Sequence, residues 1–140
     1  LPLINVASPA YLERYGVPQS PTDLERHWAV NYASPSTGRI ENWEWVEQGG
    51  VRSMPIRARI TVNGAEAYIA CCLAGLGLIQ IPAYDVAAHL QNGELVEVMP
   101  GHRAEAMAMT LLYPHRRNLL PRLQVFADWL EALLERHILR

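Results

Sequence analysis

Residues 62–82 read VNGAEAYIACCLAGLGLIQIP, and this stretch decides the fold. It starts at the end of an apolar strand, where Asn63 is expected to cap a helix of small and apolar residues that runs from Ala65 to Ala74. Gly75 suits the position just after a helix, where a left-handed backbone is needed. An apolar strand over residues 78–81 follows and ends at Pro82. A strand, a helix and a strand in close succession predict an α/β fold.

The same alternation extends from this stretch towards both ends of the chain. On the N-terminal side, we predict strands over residues 3–7, 28–32 and 59–62, short helices over 9–15 and 20–27, and a β-hairpin over 43–55. On the C-terminal side, we predict a helix over residues 84–90, an edge strand over 95–99, a strand over 106–112 and a closing helix over 119–138. From this order we expect a layered α/β fold with a largely parallel sheet.

The composition is that of an ordinary globular domain. The chain has 140 residues, of which 50% are hydrophobic and 19% are charged, and its formal net charge is −2. These values exclude disordered, coiled-coil and collagen-like chains, and no apolar run approaches the roughly 18 residues that a membrane-spanning helix needs. A charge so close to neutral gives little attraction to a phosphate backbone, so we expect no nucleic-acid-binding surface within these residues.

No motif in the sequence indicates catalysis. Gly75-Leu76-Gly77 closes a helix and precedes a strand, which is the reverse of a dinucleotide-binding fingerprint, so it predicts a helix cap and a tight turn. The five histidines lack metal-ligand spacing, and no GxSxG nucleophile motif occurs. We therefore expect no catalytic residue, no metal and no cofactor, and we expect that the protein is not an enzyme.

Two loops have the features of ligand-binding loops. Residues 32–37 follow a buried strand, where open α/β sheets place ligand loops, and they carry several hydroxyl groups. Asn63-Gly64 precedes a helix N-terminus, whose free amides suit a carboxylate or another anion. For both, an ordinary loop is the alternative on composition alone. Trp43 and Trp45 lie on one face of a predicted strand, which favours sheet packing over a ligand shelf.

Five short motifs occur in a fixed order along nearly the whole chain. They are VASPAYL at 6–12 with GVP at 16–18 and PTDL at 21–24, VNGAEA at 62–67, AGLGLIQIP at 74–82, LQNGELV at 90–96, and LYPHRR at 112–117 with LPR at 120–122. In this order they resemble the effector-binding domain of LysR-type transcriptional regulators. The resemblance implies a two-lobed, periplasmic-binding-protein-like (type 2) fold with a small effector in the cleft between the lobes.

The resemblance also implies how the chain divides. Residues 1–105 would form the second lobe, and residues 106–140 would be the strand and the C-terminal helix that return to the first lobe. The family's DNA-binding winged helix-turn-helix and the first half of its first lobe have no counterpart in this sequence. We therefore expect the chain to be a piece of a longer protein, and we expect it to retain little effector affinity by itself.

For the binding site, the resemblance implies effector contacts from eight residues: Tyr32, Ala33, Ser34, Pro35, Ser36, Val62, Asn63 and Gly64. In this family such contacts bind small metabolites that often carry a carboxylate. The helix from Ala65 to Ala74 is similar to the family's dimer-contact helix, which implies a homo-oligomer, and core packing is the alternative. DNA would be bound only through the domain that this chain lacks, with no membrane partner and a cytoplasmic location.

Together these inferences predict the effector-sensing fragment of a bacterial LysR-family regulator. The alternative is a stand-alone solute-binding protein of similar fold that serves transport, and an enzyme ranks third. Because the strand over 106–112 and the closing helix would lack their sheet neighbours, an apolar edge and an apolar helix face would lie uncovered. We therefore expect the fragment to self-associate, or to dock the closing helix differently than the intact domain would.

Overall fold

The computed structural model describes residues 1–107 and 121–137. The strands are β1 (Leu3–Ala7), β2 (Ala29–Tyr32), β3 (Trp43–Glu47), β4 (Gly50–Met54), β5 (Ala58–Val62), β6 (Ile79–Pro82) and β7 (Val96–Val98). The helices are α1 (Pro9–Tyr15), α2 (Ala65–Leu73), α3 (Ala87–Gln91) and α4 (Pro121–His137). Two 3₁₀ helices cover Pro21–Arg26 and Ala83–Val86, where the sequence predicts ordinary helix.

Strands β6, β1 and β7 form a three-stranded sheet in that order, and β2 and β5 form a two-stranded sheet. An isolated bridge joins the two into one mixed layer, in which the strands lie in the order β5-β2-β6-β1-β7. Strand β2 runs parallel to β5, and it joins β6 through a parallel bridge between Ala29 and Leu78. Strand β1 is antiparallel to both of its neighbours, β6 and β7. The prediction of a largely parallel sheet was therefore wrong. Apolar strands have the same composition in either direction, and only the path of the connections sets the direction.

The sheet has an apolar core on each face. One core holds side chains of the sheet, α2 and the segment before β7: Ile4, Val6, Val30, Tyr68, Cys72, Ile79, Ile81, Val86 and Leu95. The other holds side chains of the sheet and its flanking residues, α1, the first 3₁₀ helix, the hairpin and the segment after it: Ala7, Tyr11, Leu24, Ala29, Trp43, Ile56, Leu78, Val98 and Met99. Neighbouring strand residues such as Leu78 and Ile79 enter opposite cores, as the alternation of side chains along a strand requires.

The junction between α2 and β6 confirms the predicted helix cap and tight turn. Gly75 has a φ of 81° and donates its N–H to the carbonyl of Cys72 at 3.0 Å, while Leu76 donates to Cys71 at 3.0 Å. These two bonds satisfy the last carbonyls of the helix. At Gly77 a side chain would force the backbone to shift, because a Cβ atom would lie 2.6 Å from the carbonyl carbon of Ala29. The second glycine therefore lets α2 turn directly into a strand beside β2.

The predicted hairpin is confirmed in detail. Strands β3 and β4 pair antiparallel from Trp43 opposite Met54 to Glu47 opposite Gly50. Gln48 and Gly49 form the turn, with φ values of 51° and 75°. Two left-handed residues match the twist of a tight hairpin, which explains the glycine at this position.

The C-terminal part of the chain lies partly outside the described residues. Of the predicted strand over 106–112, Met107 exchanges backbone hydrogen bonds with Leu1, and residues 108–112 lie outside the description. Helix α4 falls within the predicted helix, and three of its apolar side chains are exposed: Val125 by 67%, Phe126 by 54% and Trp129 by 54%. In the described part of the chain, no helix combines the length and apolarity needed to cross a bilayer.

Candidate ligand-binding site

A cleft of about 650 Å³ opens beside β2, between the sheet and the β3–β4 hairpin. Strand β2 contributes all four of its residues to the cleft wall, and β6, the first turn of α2 and the hairpin contribute others. Its polar lining residues are Asn31, Tyr32, Glu41, Asn42, Glu44, Ser53, Tyr68, Gln80 and Asp85. This is a concave, partly apolar surface of the size that small ligands occupy.

The two predicted ligand loops meet at the edge of this cleft. The N–H of Ala33 donates to the carbonyl of Val62 at 2.7 Å, so the parallel ends of β2 and β5 are joined where the loops begin. Tyr32 lines the cleft itself, and Ala65, the residue after Gly64, also lines it. The other seven predicted residues are not among those that line the cleft. They neighbour Tyr32 and Ala65 in the chain, and we call these loop residues the rim.

The hydroxyl groups of the first loop bond within the loop. Ser34 and Ser36 place their Oγ atoms 3.1 Å apart, and the N–H of Ser34 donates to the carbonyl of Arg39 at 2.9 Å. Pro35 and Ser36 are exposed, whereas Ser34 is half-buried. A ligand at this rim could accept from either hydroxyl, because each hydroxyl has one proton and two lone pairs.

The N-terminus of α2 is open. Gly64, not Asn63, occupies the capping position, and no side chain bonds to the first turn of the helix, so the predicted cap at Asn63 was wrong. The amides of residues 65–67 therefore have no partner within the helix. Uncapped amides at the positive end of a helix dipole attract an anion.

The wall opposite β2 is fixed by a glutamine that sequence reasoning missed. The side-chain amide of Gln80 donates to the carbonyl of Glu44 at 2.7 Å and accepts from the N–H of Glu44 at 3.0 Å. The same amide donates to Oδ1 of the buried Asn5 at 2.8 Å. These bonds anchor the hairpin to the sheet. A polar residue inside the apolar run of β6 was the available signal, since a buried amide needs partners.

The aromatic residues of the cleft form a rigid floor. Tyr32 and Tyr68 pack edge to face with their ring centroids 5.1 Å apart. The hydroxyl of Tyr68 accepts the N–H of Gln80 at 3.0 Å, and burial strongly raises the pKa of Tyr68, so this phenol stays protonated. Trp43 is buried and lines the cleft, which agrees with sheet packing and leaves one side of the residue towards the cavity.

The charge of the cleft is negative. Three carboxylate side chains line it, from Glu41, Glu44 and Asp85, and none of its lining residues within the described ranges is basic. Burial raises the pKa of Asp85 above its ordinary value. These carboxylates would repel a negatively charged group of a ligand at this wall, whereas the amides at the N-terminus of α2 would attract such a group.

Known proteins support a family assignment. The family model described as LysR substrate binding domain matches residues 1–135. The uncharacterized HTH-type transcriptional regulator YhjC of Escherichia coli K12 is 41% identical over 138 residues, covering 99% of this chain and 46% of that protein. An uncharacterized HTH-type transcriptional regulator of Haemophilus influenzae is 31% identical over 113 residues, covering 81% of this chain and 38% of that protein. The chain thus spans less than half the length of both relatives.

Solved structures show the same fold. The regulatory domain of AphB from Vibrio vulnificus superimposes with a TM-score of 0.70 at 24% identity, over 94% of this chain and 64% of that chain. The CrgA regulatory domain from Neisseria meningitidis gives a TM-score of 0.68 at 23% identity, over 92% of this chain and 63% of that one. The predicted periplasmic-binding-protein-like α/β fold is confirmed, and the chain belongs to the LysR substrate-binding domain family.

Proposed function

We propose that the chain is the effector-sensing part of a bacterial, DNA-binding LysR-type transcriptional regulator that works in the cytoplasm. The family match and the relatives named as HTH-type transcriptional regulators support this function over solute capture for transport. Because the chain spans less than half of those relatives, DNA binding is assigned to a part of the protein outside these residues. An effector would act by binding one arrangement of the regulator more tightly than another.

We propose that residues 1–105 form one lobe and that residues 106–140 belong to the other. Both apolar cores of the sheet are built from residues up to Met99. Helix α4 instead exposes Phe126 and Trp129. An exposed aromatic face on a helix is expected where the covering layer comes from other residues.

One observation supports the proposed effector site, the hydrogen bond from the N–H of Ala33 to the carbonyl of Val62 beside the cleft. It brings the two predicted contact loops, residues 32–36 and 62–64, to a single place beside Tyr32. An effector seated there would contact the hydroxyls of the first loop and the amides of α2. The ring of Tyr32 would lie beneath it.

The chemistry of the rim and of the cleft wall favours a particular kind of effector. A carboxylate would bind at the uncapped amides of α2, because no basic side chain lines the described cleft. The remainder of the molecule would face Glu41, Glu44 and Asp85, so it would be neutral or positively charged. We therefore propose a small effector with one carboxylate rather than two.

We propose that α2 also contributes to a homo-oligomer. Tyr68 and Cys72 pack into the core, while Ala67, Ala70 and Ala74 are exposed on the outer side of the helix. Small residues allow the backbone of a partner helix to approach closely. The alternative of core packing alone accounts for only the inner side of α2.

A nuclear magnetic resonance titration of the ¹⁵N-labelled chain tests the effector site. Butyrate, butyramide and succinate share a carbon chain length and differ in the number of carboxylates. We expect butyrate to shift the amide signals of residues 33, 34, 36 and 63–67, the neutral amide to leave them unchanged, and succinate to bind more weakly than butyrate. Affinity in the millimolar range, about −4 kcal/mol, is enough for detection.

Variants at the rim separate binding from general effects. Ser34→Ala and Asn63→Ala should each reduce the butyrate shifts, whereas Thr22→Ala, on the exposed 3₁₀ helix, should not. Equal shifts with butyrate and butyramide would refute the carboxylate assignment. Butyrate-induced shifts that stay unchanged in both Ser34→Ala and Asn63→Ala would refute the proposed site.

A further inference from the structure

Two arginine side chains share one tryptophan ring at the N-terminal end of the β2–β5 pair. The guanidinium carbon of Arg57 lies 4.5 Å from the ring centroid of Trp28, and that of Arg59 lies 4.2 Å from it. The two cationic groups are therefore within about 9 Å of each other. The predicted ligand loops follow the opposite, C-terminal end of the same strand pair.

Hydrogen bonds hold this group in place. The Nε–H of Arg57 donates to the carbonyl of His27 at 3.1 Å, and the N–H of Ala29 donates to the carbonyl of Arg57 at 3.0 Å. The N–H of Trp28 donates to the hydroxyl of the buried Tyr11 at 2.9 Å. The Arg57 guanidinium and the backbone that carries Trp28 are thus held before any ligand arrives, which lowers the entropy cost of binding.

The charge of the two arginines is not neutralised. Arg26 and Arg103 pair with Asp23 at 2.7 Å and with Glu97 at 2.8 Å. Over residues 1–107 and 121–137, neither Arg57 nor Arg59 forms such an ion pair. Contact with an aromatic face leaves the in-plane N–H donors of a guanidinium at its edge, where they match the oxygens of a phosphate.

We propose that Arg57, Arg59 and Trp28 form a binding site for the phosphate group of a small molecule, separate from the cleft. Two forked donors on one rigid ring would hold a tetrahedral oxyanion between their edges. The occupant is a free phosphate compound rather than a nucleic acid. A single strand of nucleic acid would need open aromatic faces on which to stack its bases, and here two guanidinium groups already contact the ring. A duplex is held by many phosphate contacts, whereas this site offers two arginines on a chain of net charge −2.

Inorganic pyrophosphate is the probe, and binding to the full 140-residue chain is followed by calorimetry and by the indole N–H signal of Trp28. Arg59→Gln should weaken binding by about tenfold, and the Arg57→Gln/Arg59→Gln double variant should abolish saturation. The affinity of Arg59→Lys should lie between that of the original chain and that of Arg59→Gln, because lysine keeps the positive charge but lacks the forked donors of arginine. Arg14→Gln is the matched control, since Arg14 lies 5.3 Å from the ring centroid of Tyr15 without a second arginine.

Three outcomes would overturn the proposal. They are equal weakening by Arg14→Gln, unchanged affinity in Arg59→Gln, and no saturable binding of pyrophosphate to the original chain. Short duplex DNA, at the same concentration of phosphate groups, tests whether the site binds the phosphates of a nucleic acid instead. Tighter binding of the duplex, lost in Arg59→Gln, would contradict a small-molecule site. Circular dichroism shows whether Arg59→Gln and Arg59→Lys are folded. The pyrophosphate affinity of either folded variant decides the proposal.

Discussion

In helices α2 and α4, the burial of the side chains does not follow the pattern of apolar residues in the sequence. Helix α2 is apolar or small around most of its circumference, yet it buries Tyr68 and Cys72 against the sheet and exposes mainly alanines. Helix α4 has a clear apolar face, yet Phe126 and Trp129 are exposed. An apolar face therefore shows that a helix needs a partner, but it does not locate the partner. Substitutions in the sheet and in α4 should have correspondingly different effects on stability.

The largest effect is expected at Gly77, where α2 turns into β6. Gly77→Ala would place a Cβ atom 2.6 Å from the backbone of Ala29, and backbone cannot move aside as a side chain can. We expect a loss of about 3 kcal/mol in the free energy of unfolding, measured by urea denaturation. Gly101→Ala, at a position with nothing within 4 Å, is the control and should change little. A loss below about 1 kcal/mol would mean that β2 and β6 do not approach this closely.

A smaller loss is expected from the buried hydroxyl of Tyr11. This hydroxyl accepts the N–H of Trp28 at 2.9 Å and lies 2.8 Å from Nδ1 of His27. Tyr11→Phe leaves both groups unpaired, and we expect a loss of about 2 kcal/mol in urea denaturation. Tyr15→Phe is the matched control, because the hydroxyl of Tyr15 makes no hydrogen bond within the described residues. Equal losses in the two variants would show that the two hydrogen bonds of the Tyr11 hydroxyl add no stability.

The His27–Tyr11 pair also predicts a pH dependence. The Tyr11 hydroxyl lies 2.8 Å from Nδ1 of His27 and also accepts the N–H of Trp28, and a neutral His27 with its proton on Nε2 can accept the hydroxyl proton. Burial lowers the pKa of His27; Arg26 and Arg57 act in the same direction, and Asp23 opposes them. The unfolded chain therefore takes up a proton near pH 6.5, before the folded chain does, and stability falls as the pH drops below that value.

His27→Gln tests this assignment through urea denaturation between pH 7 and pH 5. The variant should lose part of the decline in unfolding free energy that the original chain shows on acidification. His102→Gln, which removes a different histidine, should retain that decline. Parallel pH profiles for the original chain and His27→Gln would assign the decline to other groups.

Much of the fold could be predicted because local chemistry determines it. The cap at Gly75 and the turn around Gly49 each require a left-handed backbone, and glycine marks both places in the sequence. The direction of β1 could not be predicted, because an apolar strand pairs equally well in either sense. The 3₁₀ form of Pro21–Arg26 was also missed, because serine and proline start both kinds of helix.

The site was predictable only at its rim. The loops after β2 and β5 carry recognisable signals, and the structure joins them between Ala33 and Val62. The walls of the cleft depend on long-range contacts instead, such as Gln80 with the backbone of Glu44. Residues so far apart in sequence show no spacing that could reveal the contact. The cap was assigned to Asn63 because asparagine is the better capping residue, yet the helix begins at Ala65 as predicted and Gly64 occupies the capping position.

The smallest effect on the unfolding of the sheet is expected from α4. Because Phe126 and Trp129 are exposed, the double variant Phe126→Ser/Trp129→Ser should change the unfolding free energy of the sheet by less than about 0.5 kcal/mol. It should, however, reduce self-association of the chain in sedimentation velocity, since the aromatic face is the surface that copies would share. Glu135→Ser/Arg136→Ser, on exposed polar residues of the same helix, is the control and should associate as the original chain does. A compact monomer for the original chain at high concentration would refute the self-association, and a large loss of sheet stability would show that α4 packs on the sheet.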